Sequence, residues 1–206
     1  MIEIRTATID DLDAIAAVEA ECFPPAEAAT REDFKERIIH YGNHFLLMFE
    51  DGKLISFVDG FVTNEPDLTD EMYADASMHD ENGAWQMIFG VNTIPSRRRN
   101  GYAGQLIERM ILDAKKQGRT GVVLTCKESK IHYYEKFGFV NEGVSESVHG
   151  GEVWWQMRVR VNRPHACEAS ADYHTPSTTC VVFCNSESSS PHVPKTSLND
   201  SSPVGD

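Results

Sequence analysis

The stretch NTIPSRRRNGYAGQLIERM, residues 92–110, decides the fold and directs the functional interpretation. Three consecutive arginines, residues 97–99, lead into a segment in which Gly101 and Gly104 enclose two other residues, and an amphipathic run follows. A nucleic-acid-binding patch, a solvated loop and a phosphate-binding turn would each explain so dense a cluster of positive charge. These alternatives predict different functions.

The sequence on either side favours the phosphate-binding alternative. The residues before the arginines, AWQMIFGVNTI (84–94), are typical of a buried strand, and residues 101–117 have helical periodicity. The first N–H groups of a helix lack backbone partners and the helix dipole is positive at that end, so anions bind there. The glycines at 101 and 104 also remove Cβ atoms that would hinder a phosphate. We therefore predict an anion site at residues 100–104.

The composition of the whole chain argues against the nucleic-acid alternative. Its 206 residues include 19 Lys and Arg against 32 Asp and Glu, which gives a net charge of -13. Non-specific binding to nucleic acids or anionic membranes requires an excess of positive charge. The sequence also has no run of about 18 apolar residues, so no membrane-spanning helix is predicted. This balance indicates a soluble protein, and it suits a cationic small-molecule partner.

The start of the chain and its cysteines indicate a cytoplasmic protein. The first residues, MIEIRTATIDDLDAI, lack the basic-then-apolar pattern of a signal peptide and are typical of a strand entering a helix. The chain has five cysteines, an odd number, and only Cys22 and Cys126 precede residue 160. This spacing predicts no disulfide framework, and the sequence contains no zinc module. We expect no metal.

The composition changes near residue 160. From Val161 onward the sequence is rich in Ser, Thr and Pro and has no sustained apolar period. Such a segment buries too little apolar surface to offset the entropy lost on ordering. We therefore predict a folded domain over residues 1–160 and a disordered tail over residues 161–206.

Apolar periodicity within residues 1–160 predicts alternating strands and helices. An Asp is expected to cap the first helix, and Thr30 with Asp33 forms a capping-box pattern before the second. Strands mixed with helices, joined by both hairpins and crossovers, indicate a mixed α/β sheet. We predict strands over 2–8, 84–94, 121–126, 139–144 and 152–159, a hairpin over 44–62 turning at Asp51-Gly52, helices over 10–23, 30–40, 101–117 and 129–137, and one or two helical turns at 68–76.

Two sequence blocks resemble one known family. The spacing Arg98-x-x-Gly101-x-Ala103 is similar to the acyl-coenzyme-A signature of the GNAT superfamily of N-acetyltransferases. The block IHYYEKFGFVNEG (131–143) resembles the late helix and strand of that superfamily, a Tyr followed by x-x-Phe-Gly-Phe. The order and separation of the blocks are those of the family, and the resemblance covers roughly residues 1–160. It implies an α/β fold of GNAT type, with a mixed, mostly antiparallel sheet whose splayed central strands are flanked by helices.

The resemblance implies acetyl-CoA as the co-substrate. In this family the donor strand pairs through its backbone with the pantetheine arm, and the arginine–glycine turn receives the pyrophosphate. Carried over, Val91 and Thr93 would supply the main-chain bonds, and Gly90 fits a bulge or a close backbone approach. The residues implied to bind acetyl-CoA are Val91, Asn92, Thr93, Arg98, Arg99, Asn100, Gly101, Tyr102, Ala103 and Gly104.

Tyr134 occupies the position of the family's general-acid tyrosine. Transfer of an acetyl group to an amine expels a thiolate, and thiols have a pKa near ~8.5. A phenol, with a pKa near ~10, can donate a proton or a hydrogen bond to that sulfur as its charge develops. The alternative for a helical Tyr before Phe-Gly-Phe is packing in the core.

One segment resembles a particular branch of the superfamily. LTCKESKIHYYEKFGF, which has Lys127 where many branches have Asn, is similar to the arylalkylamine N-acetyltransferases. The vertebrate enzymes of that branch carry two histidines on the donor strand, but the positions here are Met87 and Phe89, which implies the microbial side of the group. Another base is then needed, and Glu27 in PPAEAAT is the leading candidate, because related enzymes use an acidic residue of that loop. Glu27 could instead be an ordinary exposed residue.

The segment between Leu54 and Ser96 contains no Lys or Arg and is rich in Asp and Glu. The negative electrostatic potential of these residues would attract cationic amines, although a solvated acidic loop explains the same residues equally well. The first hypothesis is an enzyme that transfers acetyl from acetyl-CoA to a primary amine, an arylalkylamine or a polyamine, in a ternary complex. The alternatives are acetylation of a protein or peptide amine, and a non-catalytic acyl-CoA-binding module. We expect no nucleic-acid or membrane partner, and a monomer or a homodimer.

Overall fold

A computed structural model of the chain describes residues 1–161. Within this range all the predicted helices are present, with ends shifted by a few residues. The helices are α1 (Leu12–Cys22), α2 (Arg31–Tyr41), α3 (Asp70–Ala74), α4 (Tyr102–Lys116) and α5 (Ile131–Glu135). The strands are β1 (Ile2–Thr6), β2 (Leu46–Glu50), β3 (Lys53–Asp59), β4 (Val62–Thr63), β5 (Trp85–Ile88), β6 (Gly90–Thr93), β7 (Gly121–Cys126), β8 (Val140–Val144) and β9 (Trp155–Arg160).

The strands form two sheets. One sheet has the order β1-β2-β3-β6 and the other has the order β4-β5-β7-β9-β8. Every neighbouring pair is antiparallel except β5 with β7, which is parallel. The prediction of a mixed, mostly antiparallel α/β architecture is therefore confirmed.

The prediction of one continuous strand over residues 84–94 is wrong in one respect, because the strand divides at Phe89. β5 pairs with β7 in the second sheet, whereas β6 pairs with β3 in the first. Gly90 makes the change of partner possible, since a Cβ at that position would lie 2.5 Å from Oδ1 of Asp59. β6 and β7 consequently diverge, and the splayed strands implied by the family resemblance are present at this point.

Short-range signals in the sequence predicted the local geometry correctly. The β2–β3 hairpin turns at Asp51 and Gly52, whose φ angles of 49° and 81° are those of the tight turn that Asp-Gly favours. At the start of α2, Thr30 and Asp33 bond reciprocally as a capping box. The Asp cap predicted for the first helix differs, because a Thr8–Asp11 box forms one turn earlier, on the 3₁₀ turn Ile9–Asp11 that leads into α1.

The main core packs helices α1, α2 and α4 against the first sheet, and buried residues of β7 and β9 in the second sheet join the same cluster. α4 buries an apolar face, because its buried side chains recur at helical spacing, and α1 and α2 contribute aliphatic and aromatic side chains to the same cluster. A second cluster lies under the loop that carries α3. Burial at about 25 cal/mol per Å² of apolar surface is the dominant stabilising contribution for such packing.

The described part of the chain ends just beyond β9. Val161 is buried and its N–H donates to the Thr120 carbonyl at 3.0 Å, so the packed chain extends one residue past the predicted boundary. The remainder of the predicted tail, residues 162–206, lies outside the described residues. Within residues 1–161, no helix has both the length and the apolar character needed to cross a membrane.

Candidate active site

The predicted anion site has the backbone geometry of an open helix start. Gly101 precedes α4 with φ 80°, and no side chain caps the helix. The first intrahelical bond is made by the N–H of Gln105 to the Gly101 carbonyl at 3.1 Å, so the N–H groups of residues 102–104 are left for another acceptor. A Cβ on Gly101 would meet no atom within 4 Å, so the space above the helix end is open.

The three arginines beside this helix start have different partners. Arg97 donates from Nε to a Glu50 carboxylate oxygen at 2.6 Å, and this pairing raises the pKa of Arg97. Nε of Arg98 donates to the Thr93 carbonyl at 3.1 Å, which ties the turn to the end of β6. Arg99 is exposed and has a left-handed φ of 65°. Arg98 and Arg99 thus remain available to an anion at the start of α4.

Gly104 is needed for a reason that the sequence did not reveal. A Cβ at this position would lie 3.1 Å from Cζ of Phe137, so the missing side chain accommodates an aromatic ring instead of a phosphate. Phe137 also packs against Tyr133 at a ring-centroid distance of 5.2 Å. The two sequence blocks that suggested the family are therefore in direct contact through Gly104 and Phe137.

The main-chain groups predicted to bind the donor lie along the free edge of β6. Ile94 donates its N–H to Ile55 of β3, and because bonding alternates along an antiparallel strand, the backbone groups of Val91 and Thr93 turn away from β3. They face the gap between the two sheets. The Thr93 carbonyl accepts two hydrogen bonds, one from Sγ of Cys22 at 3.3 Å and one from Nε of Arg98.

Tyr134 is buried in the main core, close to Cys126 at the end of β7. Its ring packs against Tyr133 and Phe139, with centroids 5.2 Å and 6.0 Å away, and no described residue hydrogen-bonds to its hydroxyl. Burial raises the pKa of Tyr134, and the neighbouring Cys126 contributes to the same shift. The phenol is therefore neutral at physiological pH, which is the state that a proton donor requires.

A cavity of about 270 Å³ lies on the other side of the splay point. It has four carboxylates, several aromatic rings and a single guanidinium in its wall. Its volume is slightly below that of typical small-molecule pockets, which measure roughly 300–1,000 Å³. The lining residues are Glu19, Phe23, Glu27, Ala28, Ala29, Asp33, Arg37, Asp70, Tyr73, Ala74, Phe89, Gly90, His149 and Trp154.

Glu27, the base predicted from the sequence, lies in this wall. The structure places its carboxylate 2.8 Å from Nζ of Lys127, and the Glu27 side chain is only 10% exposed. Lys127 also lies 5.8 Å from the centre of the Trp154 ring. The residue that replaces the common Asn is thus the partner of Glu27, and it ties the end of β7 to the loop after α1.

Glu19 is the cavity carboxylate that sequence reasoning missed. It lies on α1, its residue exposure is 6%, and its oxygens accept from the Ala29 N–H at 3.0 Å and from Nδ2 of Asn92 at 2.5 Å. Burial raises the pKa of Glu19, and Asp59 raises it further. The helical spacing did not predict that Glu19 is buried, because an isolated Glu on an amphipathic helix is normally solvent-exposed. Its Asn92 partner is 73 positions away.

The donor-strand positions that lack histidine have apolar roles. Met87 is fully buried in the second core cluster, and Phe89 packs on Tyr73 at 5.0 Å. A histidine that the sequence analysis did not select, His149, stacks on Tyr73 at 4.9 Å and forms part of the cavity wall. Burial raises the pKa of Tyr73 to about 12, so this ring is also a neutral phenol.

Several acidic residues in the run between Leu54 and Ser96 form ion pairs with arginines from other parts of the chain. These pairs are Asp59 with Arg37, Asp67 with Arg158, and Glu81 with Arg119. Asp70 alone of the run's acidic residues lines the cavity, where it accepts from the hydroxyl of Ser147 and the N–H of Val148. Most acidic residues of the run thus lie away from the cavity, and Asp59 is a buried ion-pair partner on β3.

A cluster of His44, His79 and Glu81 has its ligating atoms within 4.8 Å of one another. Val62 donates its N–H to Nδ1 of His79, which leaves the proton of that ring on Nε2, facing Glu81 at 3.3 Å. Nε2 of His44 lies 2.9 Å from the same Glu81 oxygen. Hydrogen bonding accounts for this arrangement, and the cluster does not line the cavity.

Comparison with known proteins agrees with the geometry. The sequence model of the Acetyltransferase (GNAT) family matches residues 12–139. Among curated protein sequences there is no significant match. The fold is similar to the loading GNATL domain of CurA from Lyngbya majuscula, with a TM-score of 0.68 and 16% identity over 78% of this chain and 98% of that domain.

Two further solved structures share the fold at low identity. The GphF GNAT-like decarboxylase, solved with isobutyryl-CoA, has a TM-score of 0.67 and 20% identity over 78% of this chain and all of that one. The ribosomal-protein-S18-alanine N-acetyltransferase from Escherichia coli has a TM-score of 0.61 and 17% identity over 81% of this chain and 98% of that one. The family match covers more than half of the chain, and the chain therefore belongs to the GNAT family as an acyl-CoA-dependent N-acyltransferase.

Proposed function

We propose that the protein transfers the acetyl group of acetyl-CoA to a small primary amine, an arylalkylamine or a polyamine, in a ternary complex. The observation that carries this proposal is the cavity beside the splayed strands, with its four carboxylates and aromatic wall. Carboxylates bind an ammonium group, and aromatic faces bind both apolar rings and cations. A cavity of about 270 Å³ suits a small molecule.

The proposed donor site consists of residues 98–104 together with the free edge of β6. The N–H groups at the start of α4, with Arg98 and Arg99, would hold the pyrophosphate, and the backbone of Val91 and Thr93 would hold the pantetheine arm. The residues fit an anionic ligand, because the helix end is uncapped and open. This arrangement would place the thioester near the splay point, between the cavity and Tyr134.

The proposed reaction balances in protons and bonds. An ammonium nitrogen loses two protons on becoming an amide, one before the attack on the thioester carbonyl and one after it. A carbon–nitrogen bond forms, the carbon–sulfur bond breaks, and the phenol of Tyr134 supplies the proton that the departing thiolate takes up. The second proton from nitrogen restores Tyr134, so coenzyme A, the acetylated amine and one proton leave the site.

The test is acetyl-CoA-dependent release of free thiol by the full chain, measured with separate amines. We expect turnover with small primary amines such as tryptamine, phenethylamine or spermidine, and none with the matching tertiary amines. Turnover confined to peptides with a free α-amine or a lysine would instead support a protein acetyltransferase. Binding of coenzyme A without acetylation of any amine would support the non-catalytic module.

A further inference from the structure

The cavity contains a buried carboxylate without a cationic partner. Among the cavity carboxylates, Glu27 pairs with Lys127, whereas Glu19 has no Lys, Arg or His of the described residues within ion-pair distance. The nearby guanidinium of Arg37 is already paired with Asp59 at 3.0 Å. A buried, ionised carboxylate without a counter-ion is costly, so the structure leaves a place for a cation beside Glu19.

The surroundings of Glu19 contain further polar atoms that lack partners. Oδ1 of Asn92 and Oδ1 of Asp59 are both buried without a hydrogen-bond donor among the described residues. Both atoms converge on Gly90, since a Cβ built there would lie 2.5 Å from the Asp59 oxygen and 3.3 Å from the Asn92 oxygen. Gly90 itself lines the cavity. Of these three acceptors Glu19 is the one that lines the cavity, so an ammonium group in the cavity could donate to Glu19.

Asn92 connects this group of acceptors to the donor strand. Its Nδ2 donates to Glu19 at 2.5 Å, and its backbone lies on β6 between Val91 and Thr93. The Asn92 carbonyl is held by the hydroxyl of Ser56, which fixes the strand at this residue. Glu19 is therefore one hydrogen bond away from the strand that is proposed to hold the thioester.

We propose that Glu19 is the catalytic base, which binds the ammonium group of the acceptor and takes its first proton, and that Glu27 positions the loop after α1. This proposal rests on the proposed function. The Glu19 carboxylate becomes a carboxylic acid as the ammonium becomes a neutral amine, and the proton later leaves to solvent through the cavity. Asn92 is then a positioning residue that keeps the carboxylate under β6.

The raised pKa of Glu19 suits this role, because it brings the carboxylate closer in proton affinity to the amine. The kcat/KM of the enzyme should fall as the pH drops through the raised pKa of Glu19, since a protonated carboxylic acid cannot accept a second proton. The charged and titratable groups around it are Cys22 on its own helix, Asp33 and Arg37 on α2, Asp59 on β3, Asp70 on α3, and Glu27 and His149 in the cavity wall.

The test compares Glu19→Gln with Glu21→Gln in the full chain. Gln has the same shape and still accepts from the Ala29 N–H, but it carries no charge and cannot take a proton. Glu21 is an exposed residue of the same helix and serves as the matched control. We expect Glu19→Gln to lower kcat/KM about 10²-fold at pH 7, and Glu21→Gln to leave it unchanged.

The decisive readout is how the loss depends on pH and on the amine. If Glu19 removes the first proton, the Glu19→Gln defect should shrink as the pH rises and with less basic amines, because the free amine is then already present. An equal defect at every pH and with every amine would mean that Glu19 only holds Ala29 and Asn92 in place, and would overturn the proposal. Absence of any amine acetylation by the wild-type protein would instead refute the proposed function.

Discussion

The donor side and the acceptor side of the splay point are built in opposite ways. The proposed donor side is one continuous stretch, residues 91–104, in which the free edge of β6 leads to an open helix end that follows a left-handed glycine. The proposed acceptor side is a cavity assembled from side chains of α1, α2, α3 and three loops, with Gly90 of β6 in its wall. Under the proposed function, local backbone geometry would recognise acetyl-CoA, and side chains brought together by the fold would recognise the amine.

The largest expected effect tests the residue between the two sides. Tyr134→Phe should lower kcat about 10²-fold to 10³-fold, because the departing thiolate loses its proton donor. The affinity for coenzyme A should change little, since residues 98–104 and the backbone of β6 are proposed to supply most of the contacts with it. Steady-state kinetics and calorimetric binding of coenzyme A measure the two quantities. An unchanged kcat would remove Tyr134 from the chemistry and leave it a core residue.

The next effect tests the donor side alone. Gly101→Asp should weaken coenzyme A binding about 10-fold, since a carboxylate at the helix start repels the pyrophosphate and competes for the same N–H groups. Asp and Asn both tolerate the left-handed φ, so Gly101→Asn is the matched control and should lose much less. Calorimetry measures both affinities. Equal losses for Asp and Asn would show that the helix end does not hold the anion.

A smaller effect separates Glu27 from Glu19 on the acceptor side. Glu27→Gln removes the ion pair with Lys127, which is worth at most about 1 kcal/mol, so the KM for the amine should rise less than about 5-fold. The pH dependence of kcat/KM should keep its wild-type form. Loss of the acidic limb of that profile in Glu27→Gln, but not in Glu19→Gln, would restore Glu27 as the base.

The smallest effect concerns the acidic run outside the cavity. Glu71→Gln should change kcat/KM for spermidine less than about 2-fold at physiological salt, because exposed charges are screened within about 8 Å. Asp70→Asn is the matched comparison, since Asp70 lines the cavity, and it should have the larger effect. A strong loss in Glu71→Gln that disappears at high salt would support long-range steering of cationic amines.

The same contrast explains what could be predicted from the sequence. The hairpin, the capping box and the start of α4 each depend on residues close together in the chain. The sequence therefore predicted them, from Asp51-Gly52, from Thr30 with Asp33, and from residues 101–117. Long-range contacts left no such pattern. The change of partner at Phe89 depends on Asp59, which lies 30 positions earlier, and Glu19 acquires its role only through Asn92.

Two residues selected from the sequence make contacts that no local pattern could indicate. Gly104 lies in the first turn of α4, and its missing side chain accommodates Phe137, which no spacing rule within the first block could indicate. Glu27 does face the cavity, but its ion pair with Lys127 joins residues 100 positions apart. In both cases the sequence marked the residue and the fold supplied its partner.

The most direct test of the proposed function is a competition for acetyl groups. The full chain is mixed with acetyl-CoA, an arylalkylamine, a polyamine and a peptide with a free α-amine at equal concentrations, and the products are quantified by mass spectrometry. We predict that a small amine carries almost all the acetyl label, and that Glu19→Gln reduces its formation at pH 7 far more than at pH 10. Preferential acetylation of the peptide would contradict the central claim that the cavity selects a small primary amine.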